Sequence, residues 1–375
     1  MKKTKVLFVV ENLKAGGAER VLVNLVNHLS PEKFDVTVLT IFEKGVHFSS
    51  LAPHVHAVCR NAKFFRGMSY FMRLIPSRLL YKHYVKDEDF DVVVAYMTGI
   101  PTKVVAGAKK SKRIGWLHGD MRCVFVSKKL YWSNRHYRKT YEKFDAVFGC
   151  ADTVTDSFRD KIGANCKQIR TVYNVNDTPR ILSQATAPVE LPFESDMNIP
   201  VFSTMGSLLP VKGFERLIRI CGRLKDKGFR FRLLLIGDGP LREQLSALVS
   251  ELALEDTVFL VGFQKNPYPY ISASDVFVCS SFSEGLSTAV SESIVLGRAV
   301  VSTEVSGAYE ILGKNNEYGI VVENHDDALY AGMKNFLENP EQISYYQEKA
   351  QERSKFFMLS HVISENEEAI QSVLE

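Results

Sequence analysis

Short apolar runs alternate with segments of helical periodicity along almost the whole chain, and the alternation breaks only once. Lys5–Val10, Asp35–Ile41, Asp91–Tyr96, Arg113–Leu117, Asp145–Gly149 and Gln168–Val172 read as strands, with helical patterns between most of them. Strands joined through helices pair in parallel, with the helices covering both faces of the sheet. The pattern stops at Thr178–Pro200, where Pro179, Pro188, Pro192 and Pro200 fall within one short stretch. It resumes with Val201–Met205, Phe231–Ile236, Val258–Leu260, Val276–Cys279, Ala299–Ser302 and Gly319–Val322, and ends on a helical stretch, Leu359–Leu374. At 375 residues the chain is too long for one ordinary domain. The expected architecture is α/β: two doubly wound Rossmann-like domains facing across a cleft. Their expected bounds are 1–180 and 201–356, with a linker over 181–200 and a terminal helical segment over 357–375.

Composition excludes several classes. With 46% hydrophobic and 24% charged residues the chain can bury two cores, so wholesale disorder is ruled out. Its longest apolar runs are strand-sized and fall far short of the roughly 20 residues that span a bilayer. Met1–Lys5 leads straight into a strand, so no signal peptide is expected. The six cysteines contain no C-x-x-C, which argues against a zinc ribbon or disulfide scaffold and fits a reducing cytoplasm. Charge is uneven: residues 1–180 hold 31 Lys+Arg against 16 Asp+Glu, and the remainder holds 16 against 27. A basic half attracts an anionic partner, whether nucleic acid, a membrane surface or a phosphate-rich substrate.

In doubly wound sheets ligands sit beyond the carboxyl ends of the strands, so the strand-to-helix loops are the places to search. Gly16-Gly17, before a helix, lets a ligand approach backbone N–H groups, although it is not a G-x-G-x-x-G fingerprint. In the loop Gly206–Gly213, Lys212 stands next to glycine at a helix start and could neutralise a phosphate; a solvated lysine is the simpler reading of that loop alone. In Ser283–Glu292, Ser287 is placed to cap a helix that Gly297 ends. Glu284 and Glu292, eight residues apart, suit two carboxylates gripping different hydroxyls of one extended ligand. Glu292 lies among Val290, Ile294 and Val295, so it needs a reason to be near a core. His118, in Trp116–Asp120 at a strand end, points into the cleft or is a hydrogen-bonded structural histidine.

These segments resemble the retaining glycosyltransferases of family 4, which have the GT-B fold. The likeness covers nearly the whole chain and is strongest over Leu234–Leu312, where FSEGLSTAVSE carries the E-x7-E pair. GGAERV and WLHGD are similar to members that build capsules, exopolysaccharides and lipopolysaccharide cores. The resemblance implies that Glu292 holds the ribose hydroxyls of a nucleotide and Glu284 the hydroxyls of the donor sugar. Gly285, Leu286, Ser287 and Thr288 would meet the sugar and diphosphate, and Gly262 and Phe263 the nucleobase. Lys212 would neutralise the diphosphate, which Gly16 and Gly17 approach from the other domain, and His118 would lie near the reacting face of the sugar. The terminal helix would cross back to the first domain. One departure is Ser207, where the family often has the arginine of Gly-Arg-Leu; a cation on the diphosphate is missing there.

The leaving nucleoside diphosphate builds negative charge, which a metal or protein cations must stabilise. Two overlapping Asp-x-Asp motifs, Asp87–Asp89 and Asp89–Asp91, precede a strand at the wrong end of the sheet and read as a solvated turn. No metal or cofactor is therefore expected, and the resemblance implies front-face attack with retention. Arg60–Lys86 is basic, free of acids and carries apolar residues at helical spacing, interrupted by Pro76. It reads either as an ordinary packed surface helix or as an amphipathic face on an anionic membrane, with Arg66, Arg73 and Arg78 towards the lipid. The expectation is a peripheral enzyme on the cytoplasmic face of the cell membrane, moving a hexose or N-acetylhexosamine from a nucleotide sugar, UDP-linked by preference, to a polyprenyl-diphosphate-linked or other lipid-linked glycan. Transfer to a glycolipid, or a GT-B-like sugar-nucleotide epimerase, are the alternatives, and a nucleic-acid-binding α/β protein, suggested only by the basic half, is the remote alternative outside the enzymes. No nucleic-acid-binding module is recognisable, so nucleic acid is not an expected partner.

Overall fold

The computed structural model describes residues 2–14, 16–86, 89–122, 129–194 and 196–375. The chain divides into two units, one of residues 1–175 with 360–375 and one of residues 176–359.

The first unit is built on β1 (Thr4–Val10), β2 (Phe34–Thr40), β3 (His56–Cys59), β4 (Val92–Ala95), β5 (Lys112–Leu117), β6 (Ala146–Gly149) and β7 (Gln168–Thr171). They pair in parallel in the order β3-β2-β1-β4-β5-β6-β7. Val6–Val10 and all of β4 are buried, which is why these strands read as unbroken apolar runs: helices cover both faces. The sequence pattern missed β3. It is an edge strand whose His56 and Ala57 are exposed, so burial imposes no apolar signature on it.

The second unit is built on β8 (Val201–Met205), β9 (Arg232–Ile236), β10 (Val258–Gly262), β11 (Val276–Cys279), β12 (Ala299–Thr303) and β13 (Ile320–Val322). These too are all parallel, in the order β10-β9-β8-β11-β12-β13. In each sheet the strand order reverses once, between β1 and β4 and between β8 and β11. A ligand crevice opens at the carboxyl side of such a reversal.

The expected linker is corrected over its first part. Thr178–Ala185 is a helix, started by the Asp177 side chain, which accepts the Arg180 N–H. Pro179 falls in its first turn, where a missing N–H costs nothing. Asn176 Nδ2 donates to Ser291 Oγ at 3.0 Å and Asn266 Nδ2 to Gln184 O at 2.8 Å, so this helix is part of the second unit. The last helix, Leu359–Ser372, packs on the first unit: Asn366 Nδ2 donates to Tyr173 O at 3.1 Å, and Glu367 accepts Ser30 N at 2.7 Å and Lys33 Nζ at 2.6 Å.

Candidate functional site

In the second unit the ends of β8 and β11 come together at the strand-order reversal. After β8 the chain passes Gly206 and the exposed Ser207 into a short 3-10 turn, Pro210–Lys212, and then Gly213. Gly213 has φ +66°, and a Cβ there would lie 2.1 Å from Ser280 O, so only glycine lets this loop close on the end of β11. The closure carries Lys212 to Glu284. Lys212 Nζ donates to Glu284 Oε1 at 2.7 Å, and Ser281 Oγ donates to the same oxygen at 2.6 Å.

A residue that sequence reasoning missed props this loop. Arg216, buried on the helix Phe214–Asp226, donates to the carbonyls of Ser280 and Ser281 and to Asn324 Oδ1, with its guanidinium 4.0 Å from the Phe282 ring centre. All its hydrogen bonds are structural, although its sequence context is that of any arginine on an amphipathic helix.

The helix Thr288–Val295 follows the loop. Ser287 stands at its N-cap position, but its side chain makes no capping hydrogen bond, contrary to expectation. Gly297, at φ +67°, lies just beyond the helix end as expected. Gly285 and Leu286 are buried, and Thr288 is half-buried at the first helical position. Glu292 is only 3% exposed, and its Oε1 accepts the Tyr268 hydroxyl at 3.2 Å. That hydroxyl is one of the donors a buried carboxylate needs. Gly262, at the end of β10, has φ +80° and its carbonyl accepts Gly237 N at 2.9 Å; Phe263 beyond it is exposed.

In the first unit, Gly16 is the N-cap of the helix Gly17–His28. The Glu19 carboxylate lies where a Cβ on Gly16 would be, with Oε2 2.1 Å from that position. Burial raises the pKa of Glu19, and also that of Glu11 at the end of β1, which the Ile100 N–H partly offsets and the nearby Glu19 charge reinforces. His118, just past β5, has its ring centre 4.5 Å from that of Tyr96. Burial pulls its pKa down to about 4 against a smaller opposing contribution from the Tyr96 backbone, so its imidazole is neutral at physiological pH.

Of the acidic turn, Asp87 and Glu88 lie outside the described residues. Asp89 pairs with Lys5, and Asp91 accepts the Lys5 N–H at 2.8 Å, at the amino end of the sheet. Among the described residues no group of three His, Cys, Asp or Glu side chains is placed to hold a metal ion.

The basic stretch is not one segment but two short helices, Met68–Leu74 and Ser77–Tyr84, separated at Ile75 and Pro76. Met68, Met72, Leu80, Tyr81 and Tyr84 face inward, while Phe64 (67%), Phe71 (57%), Leu74 (64%) and Phe65, Leu79 and Trp132 are exposed. Buried Lys103 donates to Met72 O at 2.7 Å and Arg73 O at 3.0 Å, fixing the first helix by its last carbonyls. Arg66 is exposed. Arg73 lies with its guanidinium 4.1 Å from the Trp132 ring centre. Arg78 is a correction: it is half-buried and donates to Gly107 O at 3.4 Å, so it binds the domain rather than standing free towards a membrane. Among the described residues no helix is long and apolar enough to cross a membrane.

Two family models match successive parts of the chain, glycosyltransferase family 4 over residues 15–180 and glycosyl transferases group 1 over residues 192–353. The chain is a family 4-type glycosyltransferase. This transferase is 27% identical to the N-acetylgalactosamine-N,N'-diacetylbacillosaminyl-diphospho-undecaprenol 4-alpha-N-acetylgalactosaminyltransferase of Campylobacter jejuni, over 93% of the chain and 94% of that protein. It is 28% identical to the lipopolysaccharide core biosynthesis glycosyltransferase LpsE of Rhizobium meliloti, over 85% of the chain and 84% of that protein. In structure it resembles Anabaena HepE, solved with UDP, with a TM-score of 0.77 at 20% identity over 98% of the chain and 100% of HepE. The transferase therefore has the GT-B architecture of two Rossmann-like domains. Sequence reasoning singled out Lys212, Glu284 and Glu292. It missed Tyr268 and Glu11, whose partners Glu292 and Ile100 lie on other elements that only tertiary packing brings close.

Proposed function

We propose that the transferase moves a hexose or N-acetylhexosamine, with retention and without a metal, from a UDP-sugar to a lipid-linked glycan in surface polysaccharide synthesis. The observation that carries this reading is the convergence of Lys212 and Glu284 at the β8/β11 reversal, 2.7 Å apart, with the buried carboxylate of Glu292 on the helix that follows. Glu292 holds the ribose hydroxyls, and Tyr268 keeps its carboxylate in place. Glu284 holds hydroxyls of the sugar, and Lys212 neutralises the charge that grows on the leaving diphosphate. Backbone groups of Gly285–Thr288 meet the sugar and diphosphate, and those of Gly262 and Phe263 meet the base. In the first unit, Gly16 and Gly17 offer backbone to the diphosphate. A neutral His118 accepts or donates one hydrogen bond near the reacting carbon without adding charge. The leaving phosphate takes the acceptor's proton as the acceptor oxygen attacks from the same face.

Two facts about relatives support the substrates. The Campylobacter relative is named for a diphospho-undecaprenol acceptor, and HepE has been solved with UDP and with UDP-glucose. Membrane attachment is part of the same proposal, and the exposed Phe64, Phe65, Phe71 and Leu74 beside Lys63 and Arg66 support it, a combination that suits an anionic interface. The test is transfer of radiolabelled sugar from UDP-sugars to a polyprenyl-diphosphate-linked glycan, with and without EDTA. Product with the same anomeric configuration as the donor, at a rate unchanged by EDTA, is expected. An inverted product or an EDTA-dependent rate refutes the corresponding part of the mechanism.

A further inference from the structure

Glu284 is held through one of its two oxygens. Its Oε1 accepts Lys212 Nζ at 2.7 Å and Ser281 Oγ at 2.6 Å, while among the described residues Oε2 takes no hydrogen bond. The two donors differ in kind. On the proposed reading the donor's diphosphate draws Lys212 off the carboxylate, and Ser281 is then the remaining donor to Oε1 among the described residues. A hydroxyl donating to a carboxylate makes a charge-assisted bond, shorter and stronger than a neutral one.

Ser281 is itself fixed by its surroundings and is only 3% exposed. Its carbonyl accepts Arg216 Nη2 at 2.8 Å, from the helix Phe214–Asp226, and Thr303 Oγ1 at 2.7 Å, from the last residue of β12. Those two donors fill both lone pairs of that oxygen. The N–H of the same peptide, on Phe282, donates to Val211 O at 2.8 Å. The next carbonyl, Phe282 O, accepts Asn324 Nδ2 at 3.1 Å, and Asn324 Oδ1 accepts Arg216 Nη1 at 2.9 Å. With both ends of its peptide committed, the backbone that carries Ser281 Oγ cannot turn away from Glu284. None of Arg216, Thr303 and Asn324 is assigned to the donor. We infer that Ser281 is a positioning residue for sugar transfer: it keeps the Glu284 carboxylate in place after Lys212 has gone to the diphosphate, and leaves Oε2 for a sugar hydroxyl. The inference rests on the proposed reading of Lys212 and Glu284. A glutamate side chain has several rotatable bonds, so without Ser281 the bound sugar would have to order it, and the rate would fall.

The test is a double-mutant cycle in steady-state transfer, with Ser281→Ala, Glu284→Ala and the two combined. The donor is whichever of UDP-glucose, UDP-galactose and their N-acetylamino counterparts the wild type uses fastest, and the acceptor is a polyprenyl-diphosphate-linked glycan. With Glu284 present, Ser281→Ala should lower kcat/KM roughly 10- to 100-fold, the usual loss for a hydrogen bond to a charged group. In the Glu284→Ala background the same change should cost about twofold at most. Calorimetry should show that Ser281→Ala binds UDP as the wild type does, because UDP carries no sugar for Glu284 to hold. A serine that only supports the fold would cost the same in both backgrounds, and that outcome overturns the inference. Wild-type kcat/KM in Ser281→Ala overturns it as well, as does a loss of UDP affinity that accounts for the whole effect. If Glu284→Ala is crippled while Ser281→Ala is additive with it, the reading of Glu284 stands and the inference alone has failed. If Glu284→Ala transfers as fast as wild type, or the wild type uses none of the donors, both fail. Should Ser281→Ala not fold, Asn324→Ala, at an exposed position, takes its place in the cycle. It frees Phe282 O and Arg216 Nη1, and its loss should likewise vanish in Glu284→Ala; an equal loss in both backgrounds overturns the inference.

Discussion

Lys212 Nζ lies 2.7 Å from Glu284 Oε1, with Ser281 Oγ donating to the same oxygen. The two groups assigned to the diphosphate and to the sugar therefore pair with each other. Both are largely shielded, with side chains 25% and 13% exposed, so the pair is held more firmly than a surface ion pair. On the proposed reading a donor divides the pair, its phosphate drawing the ammonium and its hydroxyls satisfying the carboxylate.

This competition gives the two residues opposite signatures. Lys212→Ala should lower turnover by about 10²–10³, the usual cost of losing one preorganised charge-stabilising group. Glu284→Gln should also lower turnover, yet bind free UDP no more weakly than wild type, because Lys212 is no longer shared. Steady-state transfer and calorimetry with UDP check both. Turnover within threefold of wild type in Lys212→Ala sinks the charge role, and loss of UDP affinity in Glu284→Gln sinks the competition.

For Glu292 the expected loss is in ground-state binding of the nucleotide. A charged hydrogen bond contributes about 1.5–3 kcal/mol, so Glu292→Ala should weaken UDP by tenfold or more. The wild type should discriminate UDP from 2′-deoxy-UDP and the variant should not. Tyr268→Phe should show a smaller shift in the same direction, since it removes the donor that holds the Glu292 carboxylate. Undiminished discrimination in Glu292→Ala would assign the ribose elsewhere.

The parts of the molecule that were legible in the sequence are those where one local rule decides the outcome. Central parallel strands are buried on both faces, so β1, β4 and β9 announce themselves as apolar runs. Glu292 stood out because a carboxylate amid Val290, Ile294 and Val295 demands a partner. That partner, Tyr268, is 24 residues away, on a helix that only tertiary packing brings close. Arg78 and Arg216 were opaque for the same reason. A basic residue on an amphipathic helix reads as solvated, and nothing local says that its guanidinium reaches Gly107 O or Ser280 O. The helix Thr178–Ala185 was hidden by Pro179, because proline signals both a linker and a first helical turn; the Asp177 cap decides between them.

The pH dependence of stability should carry the mark of His118. Its pKa falls from the ordinary value near 6.5 to about 4 on folding, because burial disfavours the charged ring. Above pH 6.5 both folded and unfolded states hold it neutral, and it adds no slope. Between 6.5 and 4 the unfolded chain binds the proton and the folded chain does not, so stability falls as pH falls. The full loss is ~3 kcal/mol and levels off below about 4. Chemical denaturation at pH 7 and pH 4.5 should therefore show a steeper fall in wild type than in His118→Gln. Parallel slopes for the two proteins would contradict this burial.

Membrane attachment should depend on aromatic insertion as well as on charge. Phe64 and Phe65 are exposed before the helix Met68–Leu74 and Phe71 is exposed on it, and Lys103 anchors this helix to the domain through the carbonyls of Met72 and Arg73. The rings can therefore leave water without the helix leaving the domain. Replacing all three by serine should reduce sedimentation with phosphatidylglycerol vesicles and leave activity on a detergent-dispersed acceptor near wild type. Lys63→Glu with Arg66→Glu should also reduce it, by roughly 1 kcal/mol per basic residue, and more at low salt than at high. Arg78 is a poor choice for this test because its bond to Gly107 O belongs to the fold, and Arg73 is compromised by its stacking on Trp132. Circular dichroism confirms that each variant is folded. If the serine variant sediments as wild type does while the charge variant is released, electrostatics alone holds the protein to the vesicle. If both variants still sediment, the attachment surface lies elsewhere on the molecule.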